Sequence, residues 1–193
     1  ISPTPVIGGV GLIANLNHMM SIKLKEINSH ILVIGKTLGH LHQSEFCKEV
    51  LDFVDGPPPE INLFNEKNNG LTIKKLISMN LLNSVHDISS GGILLALAEM
   101  SLAGKIGVKL KLPKQITNLH EYLFGEDQSR YLIEIKDKNK VEACKVLDEN
   151  NVYYNIIGQT QNNAIELDKE FKINLSDIVN MKSSWFKNYF KEN

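Results

Sequence analysis

Apolar and polar positions change rhythm several times along the chain, and each change marks an expected element. Residues 31–35, Ile31-Leu32-Val33-Ile34-Gly35, form a continuous apolar run ended by glycine, which reads as a buried strand. A helix is expected after Gly39-His40-Leu41-His42-Gln43-Ser44-Glu45, with apolar positions at Phe46, Val50, Leu51 and Val54, stopped by Gly56-Pro57-Pro58-Pro59. Two helical pieces are expected across residues 59–79, divided at Asn68-Asn69-Gly70. Residues 84–87 read as a strand end. The following helix carries Ile93, Leu94, Leu97, Ala98 and Met100 and stops near Gly104.

Val108, Leu110 and Leu112 alternate with Lys109 and Lys111, the pattern of a half-exposed strand ending at Pro113. A polar turn at residues 125–130 leads into a strand that ends at Ile135, and residues 138–150 suit an amphipathic helix. Residues 152–157 are expected to form a strand joined by an Asn162-Asn163 hairpin to a partner at 164–167. A short strand is expected within 168–173, then a closing helix capped by Ser176-Asp177 and carrying Ile178, Trp185, Phe186, Tyr189 and Phe190. At the other end, residues 4–13 are β-branched and glycine-rich, as in a strand packed closely on a neighbour. Strands alternating with helices predict an α/β fold, a mixed β-sheet covered by helices.

Composition narrows the function. The 21 basic and 22 acidic residues nearly cancel, giving no electrostatic case for nucleic acid or for an anionic membrane. No apolar run approaches the ~20 residues a bilayer requires, and no charged-then-apolar leader opens the chain, so a cytoplasmic protein is expected. Cys47 and Cys144 both fall in expected helices without partners at metal-ligand spacing, which fits a reducing compartment. The start at Ile1, inside Pro3-Thr4-Pro5, suggests a piece of a longer chain.

Two polar turns could carry chemistry. His86-Asp87-Ile88-Ser89-Ser90-Gly91-Gly92 places an acid and exposed N–H groups at a helix start, where the macrodipole favours a phosphate or a metal-phosphate. Ser89 or Ser90 would cap that helix. Equally, a plain helix cap explains these residues. In the second turn, Glu126, Asp127, Gln128 and Arg130 crowd against a strand, with alternation placing Glu126 and Gln128 on one face. Such a group suits magnesium, a sugar hydroxyl or a phosphate, or else a solvated Arg–carboxylate turn. His40 and His42, joined by His86, offer a zinc alternative that lacks any strong ligand spacing. No Gly-x-Ser-x-Gly elbow supports a serine hydrolase.

In order, Pro3-Thr4-Pro5-Val6-Ile7-Gly8-Gly9-Val10-Gly11-Leu12, Gly39-His40-Leu41 with Gln43-Ser44, His86-Asp87-Ile88-Ser89 with Gly91-Gly92 and Ala96-Leu97-Ala98-Glu99, and Leu123-Phe124-Gly125-Glu126-Asp127-Gln128-Ser129-Arg130 form a series. It resembles, end to end, the C-terminal part of the phosphoribosylformylglycinamidine synthase family, within the aminoimidazole ribonucleotide synthetase superfamily. The resemblance implies that residues 1–15 are the final strand of a preceding domain or a linker. Residues 16–193 would then be the C-terminal α/β domain of the second half of a duplicated synthetase.

It further implies an ATP- and magnesium-dependent amidation of formylglycinamide ribonucleotide with ammonia from a glutaminase subunit, alongside a small accessory subunit and the remaining synthetase domains. The isolated chain is expected to be inactive. By the same resemblance Asp87 matches a magnesium ligand of the family's first half and Glu126, Asp127 and Gln128 its substrate turn; Ser89, Gly91 and Gly92 are expected to hold the nucleotide from the helix-start pattern and Arg130 to join the substrate turn from its place in the cluster, with no catalytic residue assigned. Ser90 stands where the family usually has Asp or Glu, and His42 where glycine is usual. A rival of another class is a structural packing module with a vestigial nucleotide pocket.

Overall fold

A computed structural model describes residues 6–190, apart from the side chains of Phe186 and Lys187. Its centre is β1, His30–Ile34, buried at every position. A strand with neighbours on both edges and helices on both faces has no polar side, which is why this stretch reads as an unbroken apolar run. β1 lies antiparallel to β4, Tyr131–Ile135, and to β5, Tyr154–Gln161. The other strands are β2, Ser84–Asp87, β3, Gly107–Leu110, β6, Ala164–Leu167, and β7, Phe171–Asn174. They complete one seven-stranded sheet in the order β2-β4-β1-β5-β3-β6-β7, in which only β3–β6 is parallel.

Alternation along the strands feeds two cores. Ile31, Val33 and Leu132 face one layer, where α3, Gly92–Gly104, packs with α4, Leu119–Phe124, and with the start of α6, Leu175–Tyr189. Leu32, Ile34, Ile133 and Ile135 face the opposite layer, formed by α2, Leu63–Ser78, and α5, Asp137–Glu149. Each fully buried leucine or isoleucine of this kind contributes roughly 1.5–3 kcal/mol over its exposed state. The expected mixed sheet covered by helices is therefore what the chain forms.

Four local expectations need correction, and one helix was not foreseen. Among the described residues of 4–13 there is no strand, and Val6 and Val10 are 94% and 103% exposed; residues 4 and 5 lie outside the described part. A strand exists through its ladder, and this run has no partner among the described residues. α1, Glu45–Val50, ends earlier than expected: Leu51 is its C-cap, Asp52 turns to a positive φ of 50°, and Phe53 and Val54 are exposed.

The expected break at Asn68-Asn69-Gly70 lies inside one continuous helix, α2. There Asn68 donates to the carbonyl of Asn150 and Asn69 to that of Ser129, so their amides bind neighbouring loops rather than competing for their own backbone. The Asn162-Asn163 turn joins β5 to β6 without making them neighbours, because β3 lies between them. Gly107 permits that crossing: a Cβ there would lie 2.0 Å from the Ala164 carbonyl oxygen. α4 was hidden within the turn-rich stretch, and its start is fixed by Asn118, whose side chain accepts from the His120 and Glu121 N–H groups. Phe186 lies outside the described side chains.

A candidate site where two helix starts meet a polar turn

The loop after β4's neighbour β1, residues 36–43, and the turn before β4, residues 125–130, are bound together. Glu126 N–H donates to the His40 carbonyl at 2.8 Å. The Asp127 carboxylate accepts three backbone N–H groups, from Leu38 and Gly39 at 3.0 Å and from His40 at 3.2 Å. Arg130, 2% exposed, donates to the carbonyls of Asp127 and Gly125 and to the Thr37 hydroxyl, and its guanidinium lies 3.7 Å from the Asp127 carboxylate. Burial pulls the Arg130 pKa down, and the charge of Asp127 opposes that shift. The turn is thus an internal brace.

Glu126 extends the brace to two helices. Its Oε1 accepts the Gly91 N–H at 2.7 Å and the Glu45 N–H at 2.8 Å, at the starts of α3 and α1. A carboxylate satisfies otherwise orphan donors there and is favoured by both helix dipoles. Neither Ser89 nor Ser90 caps α3: its N-cap is Gly91, at φ 77° and without a side-chain bond, while Gly92 N–H donates to the Ser89 carbonyl. Gly92 is required by close packing, since a Cβ would come within 2.8 Å of the carbonyl oxygens of Leu123 and Gly125. The protein's own carboxylate occupies the position foreseen for a phosphate.

Outward from this brace lies a groove of about 780 Å3 between the residue 36–43 loop, α1 and the start of α2. Gln128, exposed, lines it together with Asn62, Asn65 and Asn69 of the α2 side. Glu126 is not in that lining. Period-two alternation fails here because residues 126–130 are a turn, with Ser129 at φ 62°. His40 and His42 cover one end, their rings bonded to the carbonyls of Pro57 and Asp55, while Gln43 bonds that of Gly56.

Asp87 stands apart at the end of β2, its side chain 69% exposed and 3.2 Å from His86 Nδ1; His86 Nε2 also meets Glu99 at 2.8 Å. His86 is therefore committed away from His40 and His42. Among the described residues, no group of three or more His, Cys, Asp or Glu side chains is arranged to hold a metal ion. Asp87, an exposed carboxylate at a strand end, would be able to supply one oxygen ligand to a magnesium ion. The α3 start does not fit an ATP phosphate, because the Gly91 and Gly92 N–H groups are already bonded; Ser89 and Ser90 keep exposed side chains.

The sequence singled out Glu126, Asp127 and Arg130 correctly as a cluster but gave no sign of which groups they bind. It missed Glu134, a fully buried carboxylate on β4 that accepts from the Lys25 and Glu26 N–H groups, Ser84 and Asn83. The signal was present: a lone acid amid the apolar run Tyr131-Leu132-Ile133-Glu134-Ile135.

A mixed sheet between two helical layers, with a polar turn bracing the starts of α1 and α3, defines a C-terminal α/β domain of the aminoimidazole ribonucleotide synthetase type. Residues 26–168 match the family model described as AIR synthase related protein, C-terminal domain, and the chain belongs to that family. It is 47% identical over 191 residues to the phosphoribosylformylglycinamidine synthase subunit PurL of Pelagibacter ubique, covering 99% of this chain and 26% of that protein. With the PurL subunit of Rhodopseudomonas palustris strain HaA2 the identity is 35% over 189 residues, covering 98% and 26%. The chain thus spans about a quarter of the length of these curated relatives. Thermotoga maritima PurL complexed with FGAR shares the fold, with a TM-score of 0.68 at 14% identity over 83% of this chain and 29% of that one. The Thermotoga protein is also solved complexed with ATP, at TM-score 0.63, and in PurLQS, at 0.65.

Proposed function

We propose that this chain is the C-terminal domain of the second half of a phosphoribosylformylglycinamidine synthase synthetase subunit, an ATP-dependent ligase of purine biosynthesis. Residues 1–15 belong to the preceding domain or linker and residues 16–193 to the domain itself. In the whole protein, the amide oxygen of formylglycinamide ribonucleotide would take the terminal phosphoryl group of ATP with release of ADP, ammonia from a glutaminase subunit would displace that oxygen as phosphate, and magnesium would supply charge neutralisation at the phosphates. The glutaminase, a small accessory subunit and the remaining synthetase domains are the partners. The assembly is cytoplasmic, in keeping with the unpaired Cys47 and Cys144.

The observation that carries this reading is 47% identity across 99% of the chain to a curated subunit of that activity. Gln128, facing the groove, is the member of the polar turn that would meet substrate, and Asp87, exposed beside His86, would meet magnesium. Ser89, with the Gly91-Gly92 backbone, approaches the nucleotide only after rearrangement of the Glu126 brace. Titration calorimetry of the chain with ATP and magnesium tests the assignment of the nucleotide site to the missing domains. No binding in the micromolar range is expected; micromolar binding would overturn that assignment.

One observation favours a second reading. Glu126, Asp127 and Arg130 are all satisfied by the protein itself, as in a packing module with a vestigial pocket. Unchanged turnover of the full-length enzyme bearing Asp87→Ala and Gln128→Ala would support that reading.

A further inference from the structure

Residues 51–62, all of them described, connect α1 to α2 without a helix or strand, and Leu51, Phe53, Glu60 and Asn62 among them line the groove. Burial anchors this strap poorly. Leu51, Phe53, Val54 and Ile61 are each 49–64% exposed, and within residues 51–62 only Gly56 and Pro59 are half-buried. Pro57, Pro58 and Pro59 have no N–H to donate, so main-chain hydrogen bonds can tie this part of the strap to the fold only through its carbonyls.

Three consecutive carbonyls of the strap are taken by side chains of one neighbouring loop. His42 Nδ1 bonds that of Asp55 at 3.2 Å, the Gln43 amide donates to that of Gly56 at 2.9 Å, and His40 Nε2 bonds that of Pro57 at 3.0 Å. The two imidazole rings stand side by side, 5.6 Å between centroids. Gly56, at φ 93°, packs so closely that a Cβ there would run into the His42 ring. Among the described residues, no other hydrogen bond or ion pair reaches residues 54–61 from outside the strap. The flanking helices do not depend on these bonds, since Ser44 caps α1 and Asn62 caps α2.

We propose that residues 51–62 are a movable wall of the groove and that His42, with His40 and Gln43, sets its position. A segment with little buried surface opens locally once its few tertiary bonds are lost, while the rest of the fold stays closed. His42 is thus a positioning residue, acting on the groove through Leu51, Phe53 and Glu60 of the wall it fastens. Its effect on substrate affinity rests on the groove being the substrate site, as proposed above; the fastening of the strap does not.

Amide hydrogen exchange of the chain reads the fastening at two strap N–H groups, that of Phe53, bonded to the Cys47 carbonyl, and that of Gly56, bonded to the Asp55 carboxylate. His42→Ala should speed exchange at both about three- to tenfold, the loss of one hydrogen bond, with Lys48 of α1 and the sheet unchanged. His42→Asn, whose amide nitrogen can stand where Nδ1 stood, should restore slow exchange, and Gly56→Ala, which displaces the His42 ring, should match His42→Ala. Unaltered exchange at Phe53 and Gly56 in His42→Ala, acceleration spread equally through α1 and the sheet, or no restoration by His42→Asn would overturn the proposal. In the Pelagibacter ubique PurL subunit carrying this chain as its matching quarter, His42→Ala should raise KM for formylglycinamide ribonucleotide about threefold or more, with a smaller change in kcat, and His42→Asn should restore it. Faster exchange with an unchanged KM would overturn the part played in substrate binding. An inactive parent chimera would count against the proposed function, and the exchange result would still decide whether His42 fastens the strap.

Discussion

The carboxylate of Glu126 accepts the Gly91 N–H at 2.7 Å, so the start of α3 is closed by a side chain 35 residues away rather than by the serines beside it. The same oxygen takes the Glu45 N–H of α1, making Glu126 the joint between two helices and the β4 turn. Glu126→Ala should therefore destabilise by about 1–3 kcal/mol, the range for lost caps and unpaired donors. Glu126→Gln, which keeps an acceptor oxygen but loses the charge at both dipoles, should cost about half as much. Denaturant unfolding of the two variants checks the ranking.

Asp127 and Arg130 form a buried pair whose geometry is fixed by three backbone donors on one side and two carbonyls on the other. Removing the acid leaves a guanidinium charge buried without its counterion. Asp127→Ala should cost about 3–5 kcal/mol and loosen residues 37–40. Equilibrium unfolding measures the first effect, and faster amide exchange at Leu38, Gly39 and His40 measures the second.

Glu134 is wholly buried yet meets four donors, two of them the N–H groups of Lys25 and Glu26, which bring the chain into the sheet. Glu134→Ala should cost about 3–5 kcal/mol and speed amide exchange at Lys25 and Glu26 before the rest of the sheet. Native-state hydrogen exchange distinguishes that local release from uniform loss of stability.

Burial holds the Tyr122 phenol near 12 against an ordinary 10.0, so the folded chain keeps this proton more tightly than the unfolded chain. Its contribution is intact below pH 10 and is lost as pH rises from 10 to about 12, at a cost of up to about 3 kcal/mol. Tyr154, also pushed up by burial, adds a slope common to both proteins. Tyr122→Phe should thus lose stability less steeply than the parent across that window. Denaturant midpoints measured through it check the difference.

The sheet was largely legible from the chain because its strands carry complementary patterns. β1 is apolar on both faces, β2 was bounded correctly, and of the α5 stripe expected through Val141, Cys144, Val146 and Leu147 the last two are buried while Val141 is exposed and Ala143 takes its place in the core. What failed were features set by distant partners. The hairpin expected at Asn162-Asn163 is undone by β3 lying between its strands, and α2 continues through Asn69-Gly70 because loops elsewhere take up the asparagine amides. At the site, residue types marked the right turn, but whether Glu126 faces a ligand or a helix start depends on Gly91 and Glu45. No local spacing encodes that choice.

Replacing the matching quarter of the Pelagibacter ubique PurL subunit with this chain, and assaying ATP-dependent amidation of formylglycinamide ribonucleotide, tests the proposed function most directly. A folded chimera that retains turnover within about tenfold of the parent is predicted, a change of up to about 1.4 kcal/mol in the barrier. A chimera that folds and assembles but shows no turnover would contradict it.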